Sequence, residues 1–226
     1  MFILYKDITL LEIDYKIIKE SNMKAVGIMK YGGPEVLELI DVPEVYAGKD
    51  EVRIQNYASA VNPTDIVARS GMIAEFQKDF PFPYVPGMDF AGIIDQVGED
   101  VSTGLKVGDR VMGMAIPKGD YGAYREQIVL NAQAVVRAPD NTSHVEACTL
   151  PMNGLTARLS LDLLGLKAGE VLGVTGAAGA YGGYIIQLAK TEGLTVIADA
   201  SDADFELVRS LGADHVVRRG TNVALA

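Results

Sequence analysis

The sequence has no tryptophan, one cysteine and two histidines among its 226 residues. Each scarcity removes a class of chemistry. The lone Cys148 cannot form an intrachain disulfide, and a cysteine-cluster zinc site is excluded with it. A metal centre would have to be built from Asp and Glu around His144 or His215, and no ligand spacing suggests one. No metal is expected. Positive charge is also scarce: 20 Lys and Arg stand against 30 Asp and Glu, a net charge of −10. Nucleic acid is not an expected partner, because phosphate-backbone binding relies on Lys and Arg. Long apolar runs are few. Lys6 and Asp7 interrupt the apolar start too early for a signal-peptide core. The longest uncharged run, Val171 to Ala189, contains five glycines and makes a poor membrane span. No membrane partner is expected, and the expected location is the cytoplasm.

What is present reads as an ordinary globular chain, 49% hydrophobic and 22% charged. Residues 1–22 follow no clean period and read as an N-terminal extension: a loosely attached arm, or a start codon placed too early. From Met23, "MKAVGIMKYGGPEVLELIDVPEV" reads as a strand, a Gly-Gly-Pro turn and a second strand. "EVRIQNYASAV" alternates at period two, with Val52, Ile54 and Tyr57 among its larger groups. "PFPYVPGMDFAGIIDQVGEDVSTGLKVGDRVMGM", "GAYREQIVL" and "AQAVVRAP" continue the pattern of short strands and turns. Residues 23–143 are therefore expected to form a partly open β-barrel.

After residue 143 the pattern changes. "HVEACTLPMNGLTARLSLDLLG" is helical, interrupted at Pro-Met-Asn-Gly. "AGEVLGVTG" is a buried strand, 180–192 a helix stopped by Gly193, and "LTVIAD" a second strand. A second helix is expected over 204–211, capped by Ser201 or Asp202 and stopped by Gly212, and "DHVV" begins a third strand. Strand–helix–strand–helix–strand order predicts a parallel, doubly wound α/β sheet over 144–226.

The first strand-to-helix turn carries the chemistry. It reads Gly176-Ala177-Ala178-Gly179-Ala180-Tyr181-Gly182. Gly176 and Gly179 allow a tight turn and close approach to a ligand. Gly182, with Gly183, lets the helix lie close to the strands. The helix N-terminus offers N–H groups and a positive dipole end to a pyrophosphate. The alternative, a glycine turn made only for packing, is weakened by the βαβ frame around it. A dinucleotide is thus the expected cofactor. An NAD(H) site puts an acid at the end of the second strand, roughly 20 residues on. Asp199 lies one position before that end, leaving Ala200 in the acid's place. Ser201 follows, and Arg218-Arg219 close the third strand, where they suit a 2′-phosphate or form a solvated strand end. NADP(H) is favoured and NAD(H) stays open.

Taken in order, "VGIMKYGGPEVLEL", "ASAVNPTDIVARSG", "PYVPGMDFAGIIDQVGEDV", "KVGDRVMGM", "GAYREQIVL", "LPMNGLTA", "VTGAAGAYGGYIIQLAK" and "LVRSLGADHVV" resemble the medium-chain dehydrogenase/reductase superfamily. The resemblance runs from Met23 to Val217 and points to its zinc-independent quinone oxidoreductase branch, to which zeta-crystallin belongs. It implies a GroES-like barrel, a Rossmann domain, and an active site in the cleft between them. It implies NADPH-dependent reduction of quinones or conjugated enones and enals. The superfamily's zinc enzymes carry a cysteine where this chain has Asn62 and Gly-His-Glu where it has Gly87-Met88-Asp89. By the same resemblance Asn62 and Thr156 line the nicotinamide pocket, and Gly179, Ala180 and Tyr181 form the pyrophosphate turn. A pocket tyrosine found in many quinone oxidoreductases is Val67 here. A second-helix lysine that binds the 2′-phosphate in some relatives has no match, since Phe205 occupies that region; Arg219 lies where some carry a tyrosine beside the adenosine. Asn62 is the expected catalytic donor, with a loop-capping role as its structural alternative, and Asp65 and Asp89 are read as structural.

A full dinucleotide domain has six parallel strands; two and the start of a third are visible here, so the domain is expected to be incomplete. Besides a quinone or enone reductase, two other readings stand: a non-catalytic nucleotide-binding or interaction fragment, which homodimer pairing at a sheet edge would favour, and an enoyl-thioester reductase of the same superfamily.

Overall fold

In a computed structural model, residues 22–116 and 122–220 are described. Apart from Asn22, the expected extension lies outside the described residues, as does the end of "RRGTNVALA" from Thr221 on. The described residues divide into two compact units, with the division between Thr149 and Leu150.

In the first unit, strands β1 (Asn22–Gly27) and β2 (Glu38–Pro43) form an antiparallel hairpin. A five-stranded antiparallel sheet follows, built from β3 (Glu51–Ser59), β4 (Asp89–Val97), β5 (Arg110–Met114), β6 (Gln127–Asn131) and β7 (Val135–Arg137). Its order is β6-β3-β4-β5-β7. Bridges Ala25–Arg125 and Ile28–Tyr84 tie the hairpin to the segments around the sheet, giving the partly open barrel. Alternation works as expected at Val52 and Ile54, which are fully buried with Phe90, Ile94, Val111 and Ile128. Each such side chain contributes about 1.5–3 kcal/mol of burial. Tyr57, odd-numbered in the same strand, faces the other side and is exposed, as alternation requires. The pairing of β3 with β4 shifts between Asn56 and Ala58, a bulge at the strand end.

Helix α1 (Pro63–Ser70) follows β3, with Asn62 as its cap, Pro63 in its first turn and Gly71 ending it at φ 84°. Helix α2 (His144–Ala147) packs its Ala147 with Ala91, Ala138 and Cys148, so it belongs to the first unit, and the division falls at Thr149/Leu150 rather than at residue 143. The expected Pro-Met-Asn-Gly interruption is also displaced. Those residues form the first turn of α3 (Pro151–Leu164), and the break precedes them. Proline at the first helical position lacks only an N–H that would have no intrahelical partner.

The second unit contains β8 (Val171–Val174), α4 (Ala180–Thr191), β9 (Thr195–Ala200), α5 (Phe205–Ser210) and β10 (His215–Arg218). The strands are parallel in the order β10-β9-β8. That is the 3-2-1 half of a doubly wound sheet. Gly182, Ile185, Ile186 and Ala189 form the buried face of α4 against Leu172, Val174, Val196 and Ala198. Gly193 and Gly212, at φ 76° and 107°, stop α4 and α5 as expected. Among the described residues no helix is long and apolar enough to cross a membrane.

Candidate functional site: a glycine turn and a buried carboxylate network

The carboxyl end of β8 runs directly into the glycine turn. Gly176 adopts φ 66°, a conformation that L side chains rarely take. A Cβ there would meet nothing within 4 Å, so the backbone at this point faces open space. Gly182 has a different duty from the one expected. A Cβ on it would come within 2.5 Å of the Gly176 carbonyl oxygen and 2.7 Å of Ala177 Cα, so it seats the helix on the turn itself. Gly183 is looser, its Cβ position lying 3.5 Å from Leu211 Cδ1. The N-terminus of α4 has no side-chain cap from Gly179, so its first-turn amides remain for an anion. Gly176 to Gly182, including the buried Ala177, therefore form one continuous cradle. Tyr181 leaves it: its hydroxyl donates to Ser160 Oγ at 2.9 Å, and Ser160 donates to the Thr156 carbonyl at 2.8 Å. This chain, which fastens the cradle to α3, was not visible in the sequence. Thr156 is exposed on α3 and its hydroxyl donates to Met152 O at 2.7 Å.

At the end of β9, Asp199 is 7% exposed and one position short of the strand's last residue. Its Oδ1 accepts the Gly176 amide at 2.8 Å. Arg219 donates to the same carboxylate, Nη2 to Oδ1 at 3.1 Å and Nε to Oδ2 at 3.3 Å. The Arg219 hydrogen bond, helped by backbone amides of the turn, holds the Asp199 carboxyl below the usual carboxylate range. The two neighbouring arginines take different partners. Arg218 turns to Asp202, at 2.7 Å and well exposed, while Arg219 alone joins the turn. Ser201 donates its hydroxyl to Asp204 Oδ2 at 2.6 Å.

In the first unit, Asn62 is 5% exposed. It opens α1 in a capping box: Asp65 Oδ2 accepts the Asn62 amide at 2.8 Å and the Asn62 side chain faces the Asp65 amide in return. Asn62 Nδ2 donates to Asp89 Oδ2 at 2.9 Å, and Asp89 is fully buried. Tyr124 donates to Asp65 Oδ2 at 3.2 Å. Burial pushes the Asp65 carboxyl up against these bonds, and burial with the neighbouring Asp65 raises the Tyr124 hydroxyl as well. Tyr124 also lines an open groove of about 480 Å³ with Asn56 and the largely exposed apolar groups Val26, Leu39, Tyr57 and Val61. Sequence reasoning missed Tyr124 and the groove, because the walls come from β1, β2, β3 and the segment before β6. No cluster of three or more His, Cys, Asp or Glu side chains suited to a metal occurs among the described residues.

Comparison with known proteins agrees with this geometry. The alcohol dehydrogenase GroES-like domain family matches residues 48–140. The chain is 37% identical to a 2-methylene-furan-3-one reductase of Solanum lycopersicum, over 86% of this chain and 51% of that protein. It is 38% identical to an NADPH-dependent alkenal/one oxidoreductase of Arabidopsis thaliana, over 89% and 53%. With a trans-enoyl reductase of Aspergillus terreus it shares 32% identity over 85% and 67%. Among solved structures, a quinone oxidoreductase from Coxiella burnetii superposes with TM-score 0.78 at 33% identity, covering 87% of this chain and 62% of that one. A mycobacterial protein complexed with NADPH gives 0.74 at 31%, covering 88% and 60%. The chain thus spans about half the length of the first two relatives.

Proposed function

Because the chain belongs to the medium-chain dehydrogenase/reductase superfamily, in its zinc-independent quinone oxidoreductase branch, we propose that it takes part in NADPH-dependent reduction of quinones or of conjugated enones and enals. The observation that carries the cofactor half is the Gly176–Gly182 cradle: an uncapped helix N-terminus beside a backbone open to space at Gly176. These residues fit a dinucleotide pyrophosphate, with the α4 amides facing its charge. NADPH is favoured over NADH by Arg219 at the ribose end and by the relatives that name or hold NADPH. When bound, the reduced nicotinamide supplies the hydride.

The protein's own part in the chemistry is assigned to Asn62. Asp89 fixes the orientation of its amide, and the capping box fixes its backbone. A carbonyl oxygen gains negative charge as hydride adds to a quinone or to the β-carbon of an enone. A positioned donor at that oxygen is worth roughly 3 kcal/mol. The apolar groove beside Tyr124 supplies a surface for an uncharged conjugated substrate. A second reading, reduction of an enoyl thioester, is favoured by the Aspergillus relative. For a homodimer, the candidate contact is the stripe of exposed Leu155, Leu159 and Leu163 on α3.

The test is the rate of NADPH oxidation by the purified chain with a benzoquinone, a 2-alkenal and an enoyl thioester in turn. Turnover with the first two supports the main reading. Turnover with the thioester alone moves the assignment to the second. Tight nucleotide binding without any turnover supports the non-catalytic alternative.

A further inference from the structure

Tyr57 lies on the wall of the groove beside Tyr124, near the end of β3, and is 61% exposed. An exposed ring is held in place only by what packs behind it. His144, the first residue of α2, does so here: the two rings stack with 4.9 Å between centroids and 17° between planes. The imidazole is positioned by this packing, since its Nδ1 is buried and has no hydrogen-bond partner among the described residues. Burial, with Arg110 beside it, lowers the His144 pKa, so the ring meets Tyr57 uncharged near neutral pH. The polar groups of the groove are used within the protein. Asn56 Nδ2 and Ser59 Oγ both donate to the Ala123 carbonyl. Lys24 Nζ bonds to Asp41 at 2.7 Å, Glu126 Oε2 accepts the Lys24 amide at 2.7 Å, and Arg125 is not free either. Val26, Leu39 and Val61 complete an apolar surface. Such a lining suits an uncharged occupant, and the groove volume of about 480 Å³ lies in the range of small-molecule sites.

We propose that Tyr57, backed by His144, is the ring platform of this groove and sets a preference for a flat bicyclic quinone over an open-chain enone. This rests on the reading of the chain as a quinone or enone reductase. A planar conjugated ring lying offset on the phenol gains a stacking contact that a flexible alkyl chain lacks. The His144 stack fixes the phenol before the substrate arrives, so binding costs little side-chain ordering. The groove is also continuous with the Asn62 network. Val61 of its wall precedes Asn62 in the chain, and Tyr124 donates to the Asp65 carboxylate that accepts the Asn62 amide.

The experiment is calorimetric titration of the 226-residue chain with a dimethylnaphthoquinone, whose ring carbons are blocked against thiols, and separately with an open-chain nonenone. Circular dichroism and thermal melting first establish that each variant is folded. Tyr57→Leu keeps apolar bulk and removes the ring. It is expected to weaken the naphthoquinone about five- to tenfold and to hold the nonenone within about twofold. Tyr57→Phe recovers the parent ratio of the two affinities. His144→Ala leaves the platform unbacked and gives an intermediate loss for the naphthoquinone alone. In proton NMR spectra the naphthoquinone methyl resonances move upfield on binding to the parent and to Tyr57→Phe, and lose most of that shift with Tyr57→Leu. If folded Tyr57→Leu changes neither affinity, or both in equal measure, the platform is overturned. A parent chain that binds neither compound overturns it as well. NADPH oxidation by the parent and Tyr57→Leu with the same two compounds separates this failure from that of the underlying reading. Turnover that is blind to Tyr57 removes only the platform, whereas a parent that neither binds nor reduces either compound takes the reductase reading with it.

Discussion

Asn62 is asked to do two things, and substitution separates them. Asn62→Ala removes the amide donor and the cap together. Loss of the donor predicts about a hundredfold lower hydride-transfer rate, the equivalent of roughly 3 kcal/mol. Loss of the N-cap costs about 1 kcal/mol of stability, and loss of the Nδ2 donor to the buried Asp89 carboxylate costs about 1–3 kcal/mol more. A single-turnover rate and a urea titration on the same variant read the two effects. A stability loss without a rate loss would leave Asn62 as a cap alone. Asp199 makes a pH prediction. Its folded-state pKa lies below the ordinary carboxylate value, chiefly through the Arg219 hydrogen bond. A depressed acid contributes stability that is present above its unfolded pKa of about 4 and is lost as pH falls through the folded value. Asp199→Asn is therefore expected to be less stable than the parent near neutral pH, with the gap closing in strong acid. Urea midpoints across that range measure it. The sequence pointed to Asn62 and Asp199 by motif and spacing. It could not show that Asp199 touches Gly176, because that contact joins residues brought together only when β8 and β9 pair.

At the scale of the element, neighbouring glycines of α4 have opposite duties. Gly182→Ala drives a methyl into the Gly176 carbonyl and Ala177, backbone that cannot yield without opening the turn. An overpacked site of this kind costs about 1–3 kcal/mol, and nucleotide affinity is expected to fall more than tenfold. Gly183→Ala meets only ordinary contact with Leu211. It gains helix propensity worth up to about 1 kcal/mol and is expected to leave binding intact. Thermal melts and nucleotide titration of the two variants side by side check the distinction. The sequence showed both as glycines of one motif; the difference comes from which atoms lie opposite each Cβ position.

Cysteine and histidine offer little for a metal at the scale of the whole molecule, one and two residues, and no metal-suited cluster occurs among the described residues. Exhaustive dialysis against a chelator is expected to leave both the melting temperature and nucleotide affinity unchanged, which the same melts and titrations measure. The leucine stripe of α3 makes the assembly testable. Leu159 is 58% exposed between Leu155 and Leu163 on successive turns. Leu159→Glu puts a charge into that stripe and is expected to shift a homodimer toward monomer in light scattering across a dilution series. An unchanged mass would place any self-association elsewhere.

The sequence by itself determined the two kinds of unit, the parallel strand order of the second, the glycine turn and the absence of a cysteine-cluster metal site. These depend on local periodicity, turn chemistry and residue supply, which short windows of sequence contain. Tertiary structure decided the rest. It moved the division to Thr149/Leu150 because Ala147 packs against the first unit's sheet. It shifted the pairing of β3 at Tyr57, and it built the groove from β1, β2, β3 and the Tyr124 segment. It separated Arg218 from Arg219 by giving each a different carboxylate. Such choices depend on which distant groups arrive within hydrogen-bonding or packing distance, and no window of the sequence holds both partners.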